Sequence, residues 1–411
     1  MLSILYLVFV IALVLEMGTR GAGLKPGYVE NYSGLKMEDL LETYNLYKSD
    51  EAGIYSINSS LLDSLKKIDR KEYPSFVYQE SVIEIIDEFS SLEYLKAKDT
   101  TVFANYLSNN TDSCIGDILK TYISKPFNSE GFKSIPFKKH PCNNKKVLLL
   151  GDSFVYGLAA SPSYNSFADL LIAKGYIVYN TGICGADPAQ YAAILEKYLV
   201  KLEPDVVILN FYQGNDFMLF PREAKTNEPF EHLTNIGFIE SAPLGHYLNV
   251  QESYQFYKNL ASVPTSSRFY SLCKKSSAFS WIYSLLVKTG IVYHDQHQKY
   301  YGLRDAISKE EMSLNTKVHI DKMNTLAKEN EIPFINVIIP VKPEFKYSDK
   351  NYNPYFIDAE ALDISFANWE YHYPKILDVK DYEEDGGHFN NKGSEKYAEY
   401  LDQLIKNKLE N

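Results

Sequence analysis

The chain has 411 residues, 42 of them Lys or Arg and 53 Asp or Glu, giving a net charge of −11 with 45% hydrophobic and 23% charged residues. This is the balance of a globular protein, long enough for one large domain or two ordinary ones, and it excludes disorder on a large scale. An acidic chain with no basic run offers nucleic acid no electrostatic footprint.

Residues 2–15, LSILYLVFVIALVL, form an uncharged apolar run closed by Glu16 and Arg20. Its length suits the h-region of a signal peptide; counted on through residue 19 it just reaches a membrane span. A clean A-x-A cleavage site is lacking and Gly21-Ala22-Gly23 is a weak substitute. Residues 1–22 are therefore expected to be a signal peptide or, with a slight preference, a retained membrane anchor, and the protein to be exported and extracytoplasmic. Cys114, Cys142, Cys184 and Cys273 are scattered with no C-x-x-C pair, which argues against a zinc site. An exported chain could use them for one or two disulfides, whose pairing spacing does not give. The 34 tyrosines admit two readings, stacking platforms for sugars or background usage in a Lys-, Asn- and Ile-rich sequence, and the second is favoured.

Residues 25–141 are expected to be an accessory region packed on the C-terminal part of the chain, with no chemistry assigned. Apolar residues in Met37–Tyr47 and Ser81–Leu95 have helical spacing, and no repeat or low-complexity tract occurs. From Lys145 the pattern changes. VLLLGDS is a short apolar run ending in a Gly-containing turn, as in a strand buried on both faces of a parallel sheet. Next come a helix over Ala168–Lys174, a strand over Tyr176–Tyr179, a helix over Gln190–Lys201 and a strand over Asp205–Phe211. Beyond a long insertion lie a helix over Glu310–Glu329, a strand over Pro333–Ile339, a short fifth strand over Tyr373–Val379 and a closing helix over Lys392–Asn407. Strands alternating with helices predict a three-layer α/β domain of flavodoxin-like type over 142–411. The ligand site of such a sheet lies beyond the carboxyl ends of its strands.

Four groups of residues fall there. Gly151-Asp152-Ser153 places a serine on the first strand-to-helix turn; such turns also serve as helix caps or phosphate cradles, although the G-x-x-x-x-G-K-[ST] of a phosphate loop is absent. The loop Asn180–Asp187 contains Gly185, where a backbone N–H can approach a developing oxyanion; an ordinary Gly-rich turn reads equally well. Gln213-Gly214-Asn215-Asp216 offers an asparagine amide as a neutral donor, yet taken alone it is a common turn. Asp385-Gly386-Gly387-His388 can bring a carboxylate to a histidine Nδ1–H within one turn, where a lone D-x-x-H more often simply faces solvent.

In this order the four resemble the signature blocks of the SGNH (GDSL-like) hydrolase superfamily, across residues 145–217 and 334–405. The resemblance implies an α/β/α fold with a parallel five-stranded sheet, plus the N-terminal accessory region and a mid-domain cap insertion at about 218–303. It implies Ser153, Asp385 and His388 as catalytic residues, with the Ser153 and Gly185 N–H groups and the Asn215 amide as the oxyanion hole. Phe154 stands in place of the leucine of the GDSL form, and Phe389 where many lipase-like members have proline. The implied reaction is acyl transfer through a covalent intermediate, as in an exported serine ester hydrolase acting on short acyl groups such as acetyl. An O-acyltransferase acting on a cell-surface glycan is the alternative, and a non-catalytic glycan-binding protein is the alternative of another class. The expected partner is an acyl-ester substrate, glycan or small molecule, with membrane attachment through residues 2–19. No cofactor and no metal are expected, Asp152 and Asp216 reading as turn or hydrogen-bonding residues and Cys184 as a small buried hydrophobe. The aromatic-rich insertion, with Phe230, Tyr247, Trp281 and others, reads evenly as a substrate-selecting cap or as a structural subdomain.

Overall fold

A computed structural model describes residues 14–17, 47–59, 82, 84–89, 102–109, 113–218, 276, 278, 308–342, 359–383 and 387–410. The chain divides into two compact units. One comprises Met1–Glu42 and Phe238–Ala306; within it the Glu16 carboxylate accepts the Ala278 N–H at 3.0 Å and a hydrogen bond from Ser276 Oγ. Most of the predicted leader and of the predicted 218–303 insertion lies outside the described residues. Among the described residues no helix is long and apolar enough to cross a membrane.

The other unit, Thr43–Gly237 with Ile307–Asn411, contains the sheet. A short hairpin, β1 (Tyr47–Ser49) and β2 (Tyr55–Ile57), stands apart from it. The main sheet comprises β3 (Lys146–Gly151), β4 (Ile177–Asn180), β5 (Val206–Tyr212), β6 (Phe334–Ile339) and β7 (Tyr371–His372), all parallel in the order β4-β3-β5-β6-β7. Val147–Leu150 and Val206–Leu209 are fully buried, as continuous apolar runs in a sheet covered on both faces must be. The fifth strand differs from the expectation over Tyr373–Val379: it sits two residues earlier, where Tyr371 and His372 pair with Asn336 and Val337. Pro374 has no N–H for the ladder, and the chain turns at 375–376.

Helices cover both faces. On one, α4 (Phe167–Ala173) packs against α1 (Val102–Asn109) and α8 (Asn391–Glu410). On the other, α5 (Pro188–Leu202) packs against α6 (Lys309–Glu329), which carries α7 (Ala359–Ser365). α5 starts where Asp187 caps Ala189 and Gln190 and proline takes the first helical position.

Residues 113–141 are knitted to the β4 edge. Helix α2 (Cys114–Ser124) is tied by the Cys114–Cys142 disulfide to the approach to β3, and Ser134 Oγ accepts the Asn180 N–H at 2.9 Å. Lys133 runs inward, 1% exposed, and donates to the Ser163 carbonyl at 2.7 Å and to Asp169 at 3.3 Å. Asp169, equally buried, also accepts from Tyr122 Oη and Ser166 Oγ, so both buried charges are satisfied.

Candidate active site

β3 lies between β4 and β5, and its register sets Leu149 beside Asn180 of β4 and Gly151 beside Asn210 of β5. The loops leaving these three strands therefore converge at one end of the sheet, where the chain order reverses and doubly wound sheets hold their ligands.

Ser153 opens the one-turn helix α3 (Ser153–Tyr156), capped by the Asp152 carboxylate, which accepts the Phe154 N–H at 2.9 Å. Gly151 is required by close approach: a Cβ there would lie 2.3 Å from Val155 Cγ2 and 3.0 Å from the Asn210 carbonyl oxygen. The strand thus turns sharply and presents Ser153, 7% exposed, above the sheet.

Across the site, Ser153 Oγ lies 2.7 Å from His388 Nε2 and 3.4 Å from Asp152 Oδ2. The hydroxyl has one proton, and the shorter contact assigns it to the histidine. Burial pushes the imidazole down to about 4, so the ring is neutral at pH 7 and Nε2 can accept. His388 is held by a clamped turn. Its carbonyl accepts the Glu383 N–H at 2.9 Å, Tyr382 and Phe389 form an antiparallel bridge, and Lys342, 3% exposed, donates to the Glu383 carbonyl at 2.7 Å. Tyr382 Oη donates to the Pro340 carbonyl at 2.8 Å, fixing the turn to the extension of β6. Phe154 packs on the imidazole at 4.9 Å and on Tyr212 at 4.4 Å between ring centres. Asp385 lies outside the described residues.

Gly185 occupies the buried loop after β4 with φ +71°, a conformation that favours glycine. This loop lies against β3, Ile183 donating to the Gly151 carbonyl at 3.4 Å. None of the hydrogen bonds among the described residues uses the Ser153 or Gly185 N–H. Asn215 sits on the turn after β5, which is anchored where Gln213 donates to the Ile339 carbonyl and closed where Asp216 accepts the Tyr212 N–H at 2.7 Å. The Asn215 side chain favours the charged form of the Asp152 carboxylate. That carboxyl is pushed up to about 7 by burial, against the hydrogen bonds it accepts, and the fully buried Asp216 is raised well above the usual carboxylate range by burial and then by Asp152.

Ser153 and His388 are thus brought into contact, with Gly185 and Asn215 on the two neighbouring loops. Sequence reasoning read Asp152 and Asp216 as turn or hydrogen-bonding residues, as their bonds to Phe154 and Tyr212 show, but did not pair them and gave no role to Tyr191, which touches Asp216, or to Lys342. The two acids stand out as charges shortly after apolar strands; Tyr191 and Lys342 carry no such signal.

No family model matches the sequence, and no curated protein matches it. Among solved structures the chain is similar to a psychrotrophic esterase from Pseudoalteromonas sp., inhibited by monoethylphosphonate, at 14% identity over 65% of this chain and 100% of that one, with a TM-score of 0.33. It is also similar to a GDSL-like lipase from Bacteroides thetaiotaomicron at 15% identity over 64% and 88%, with a TM-score of 0.22.

Proposed function

We propose that this protein is a serine ester hydrolase of SGNH type, with Ser153 as nucleophile and His388 as its general base. The observation that carries the proposal is the 2.7 Å contact between Ser153 Oγ and His388 Nε2 at the carboxyl end of a parallel sheet. A neutral imidazole at that distance can take the hydroxyl proton as Oγ attacks an ester carbonyl, and later return it to the leaving alcohol. The N–H groups of Ser153 and Gly185 and the Asn215 amide would hold the oxyanion, in keeping with two N–H groups that no other hydrogen bond among the described residues uses. Asp385 would orient the imidazole through Nδ1–H.

The acyl group is proposed to be short, such as acetyl on a glycan or small molecule: Phe154, wedged between His388 and Tyr212, fills space beside the nucleophile. Export is supported by the Cys114–Cys142 bridge, since disulfides persist in oxidising compartments, and by the apolar run at residues 2–15.

The test is turnover of p-nitrophenyl acetate and butyrate beside Ser153→Ala, with fluorophosphonate labelling. Turnover and labelling that both vanish in the variant establish the hydrolase. Labelling at Ser153 without turnover points to transfer onto a hydroxyl acceptor. A folded protein with neither overturns the enzyme reading and favours a binding protein.

A further inference from the structure

Two buried carboxyls lie beneath the site, and their surroundings differ. Asp152 accepts the Phe154 N–H on Oδ1 at 2.9 Å, and its Oδ2 lies 3.4 Å from Ser153 Oγ. Asp216 accepts the Tyr212 N–H on Oδ2 at 2.7 Å, while its Oδ1 lies 2.9 Å from the Tyr191 hydroxyl. The same hydroxyl lies 2.9 Å from the Ala186 carbonyl oxygen. Tyr191 and Asp216 are both 0% exposed. A phenol has one proton and a carbonyl can only accept. With Asp216 ionised, that single proton would face two acceptors, and one buried contact would be oxygen against oxygen with nothing between.

We propose that Asp216 is a neutral carboxylic acid that donates to Tyr191, that Tyr191 donates to the Ala186 carbonyl, and that this directed chain of hydrogen bonds locks the Gly185 loop to the Asn215 turn. Tyr191 and Asp216 are then positioning residues. They touch no substrate; one flanks Asn215 in sequence and the other grips the residue after Gly185. The functional consequence rests on the ester-hydrolase reading: both oxyanion-donor loops are set by one bridge. A neutral Asp216 also removes a second negative charge from beside Asp152, where it would oppose the charge developing on the substrate oxygen. Burial and the neighbouring carboxyls push both Tyr191 and Asp216 toward their protonated forms, in agreement with the proton count.

The experiment compares Asp216→Asn, Asp216→Ala, Tyr191→Phe, Asn215→Ala and the Tyr191→Phe/Asn215→Ala double variant. Asparagine can reproduce the neutral acid, accepting from Tyr212 and donating to Tyr191. Asp216→Ala and Tyr191→Phe are expected to lose about tenfold in kcat on p-nitrophenyl acetate with KM little changed, and Asp216→Asn to recover most of what Asp216→Ala loses. In the double variant the loss from Tyr191→Phe should shrink, because the donor it positions is already gone. Asp216→Asn as damaged as Asp216→Ala overturns the protonation, and independent multiplication of the two losses overturns the link.

Two further measurements do not depend on turnover. A protonated-carboxyl stretch should persist in the infrared spectrum at about pH 9, above the Asp152 titration, and be missing there from Asp216→Asn, and amide exchange around Gly185 and Asn215 should quicken together in Tyr191→Phe. A missing infrared band or unlinked exchange overturns the proposal, whereas both present in a wild-type protein without turnover or labelling leave it standing and remove the hydrolase reading.

Discussion

Ser153 Oγ and His388 Nε2 stand 2.7 Å apart although 235 positions separate them in the chain. The contact depends on two turns that are each held from below. Asp152 caps the short helix that Ser153 begins, and Lys342 and Tyr382 fix the turn that carries His388.

The pH dependence of kcat/KM should reflect the buried imidazole. His388 is depressed to about 4, so the general base is active above that value and lost as pH falls through it. Asp152, raised to about 7, should add a shallow step there as it loses its charge beneath Ser153. A single steep acid limb near 6.5 would show an ordinary, solvated histidine instead.

Asn215→Ala should remain folded and lose about 10²–10³ in kcat, the measured scale for one oxyanion donor. Steady-state kinetics beside a thermal melt check this. Full activity in the variant removes Asn215 from the oxyanion hole.

Lys342→Met leaves the Glu383 carbonyl without its charge-assisted partner. A loss of about ten- to a hundredfold in kcat is expected, with a much smaller change in KM, because the turn presenting His388 loosens while the loops bearing Gly185 and Asn215 stay. Lys342→Arg should restore part of the rate. A change confined to KM would place Lys342 in substrate binding.

Lys133→Ala strips the partner from an Asp169 that is 1% exposed. Removing one side of such a pair costs about 3–5 kcal/mol, since a buried charge is left uncompensated. Urea unfolding measures it; a loss below about 1 kcal/mol would mean that Tyr122 and Ser166 suffice to hold the carboxylate.

Much of the fold was legible because burial on both faces leaves a local mark. Val147–Leu150 and Val206–Leu209 read as buried strands from their composition alone, and the helix expected over Gln190–Lys201 was found, beginning two residues earlier at Pro188 behind the Asp187 cap. The serine, glycine and asparagine blocks were legible for the same reason, as turn residues placed directly after such strands. The fifth strand was misplaced because two residues, pairing with Asn336 and Val337, produce no periodicity.

What the sequence by itself determined is the order of strands and helices, and with it the end of the sheet at which the reactive residues gather. The tertiary structure alone decided which distant groups meet: Cys114 with Cys142, Lys133 with Asp169, Lys342 with the Glu383 carbonyl, and Tyr191 with Asp216. Periodicity and turn chemistry are local properties of the chain. Hydrogen bonds and ion pairs between buried groups depend on distances fixed only when the layers pack, and the protonation of Asp216 follows from those distances.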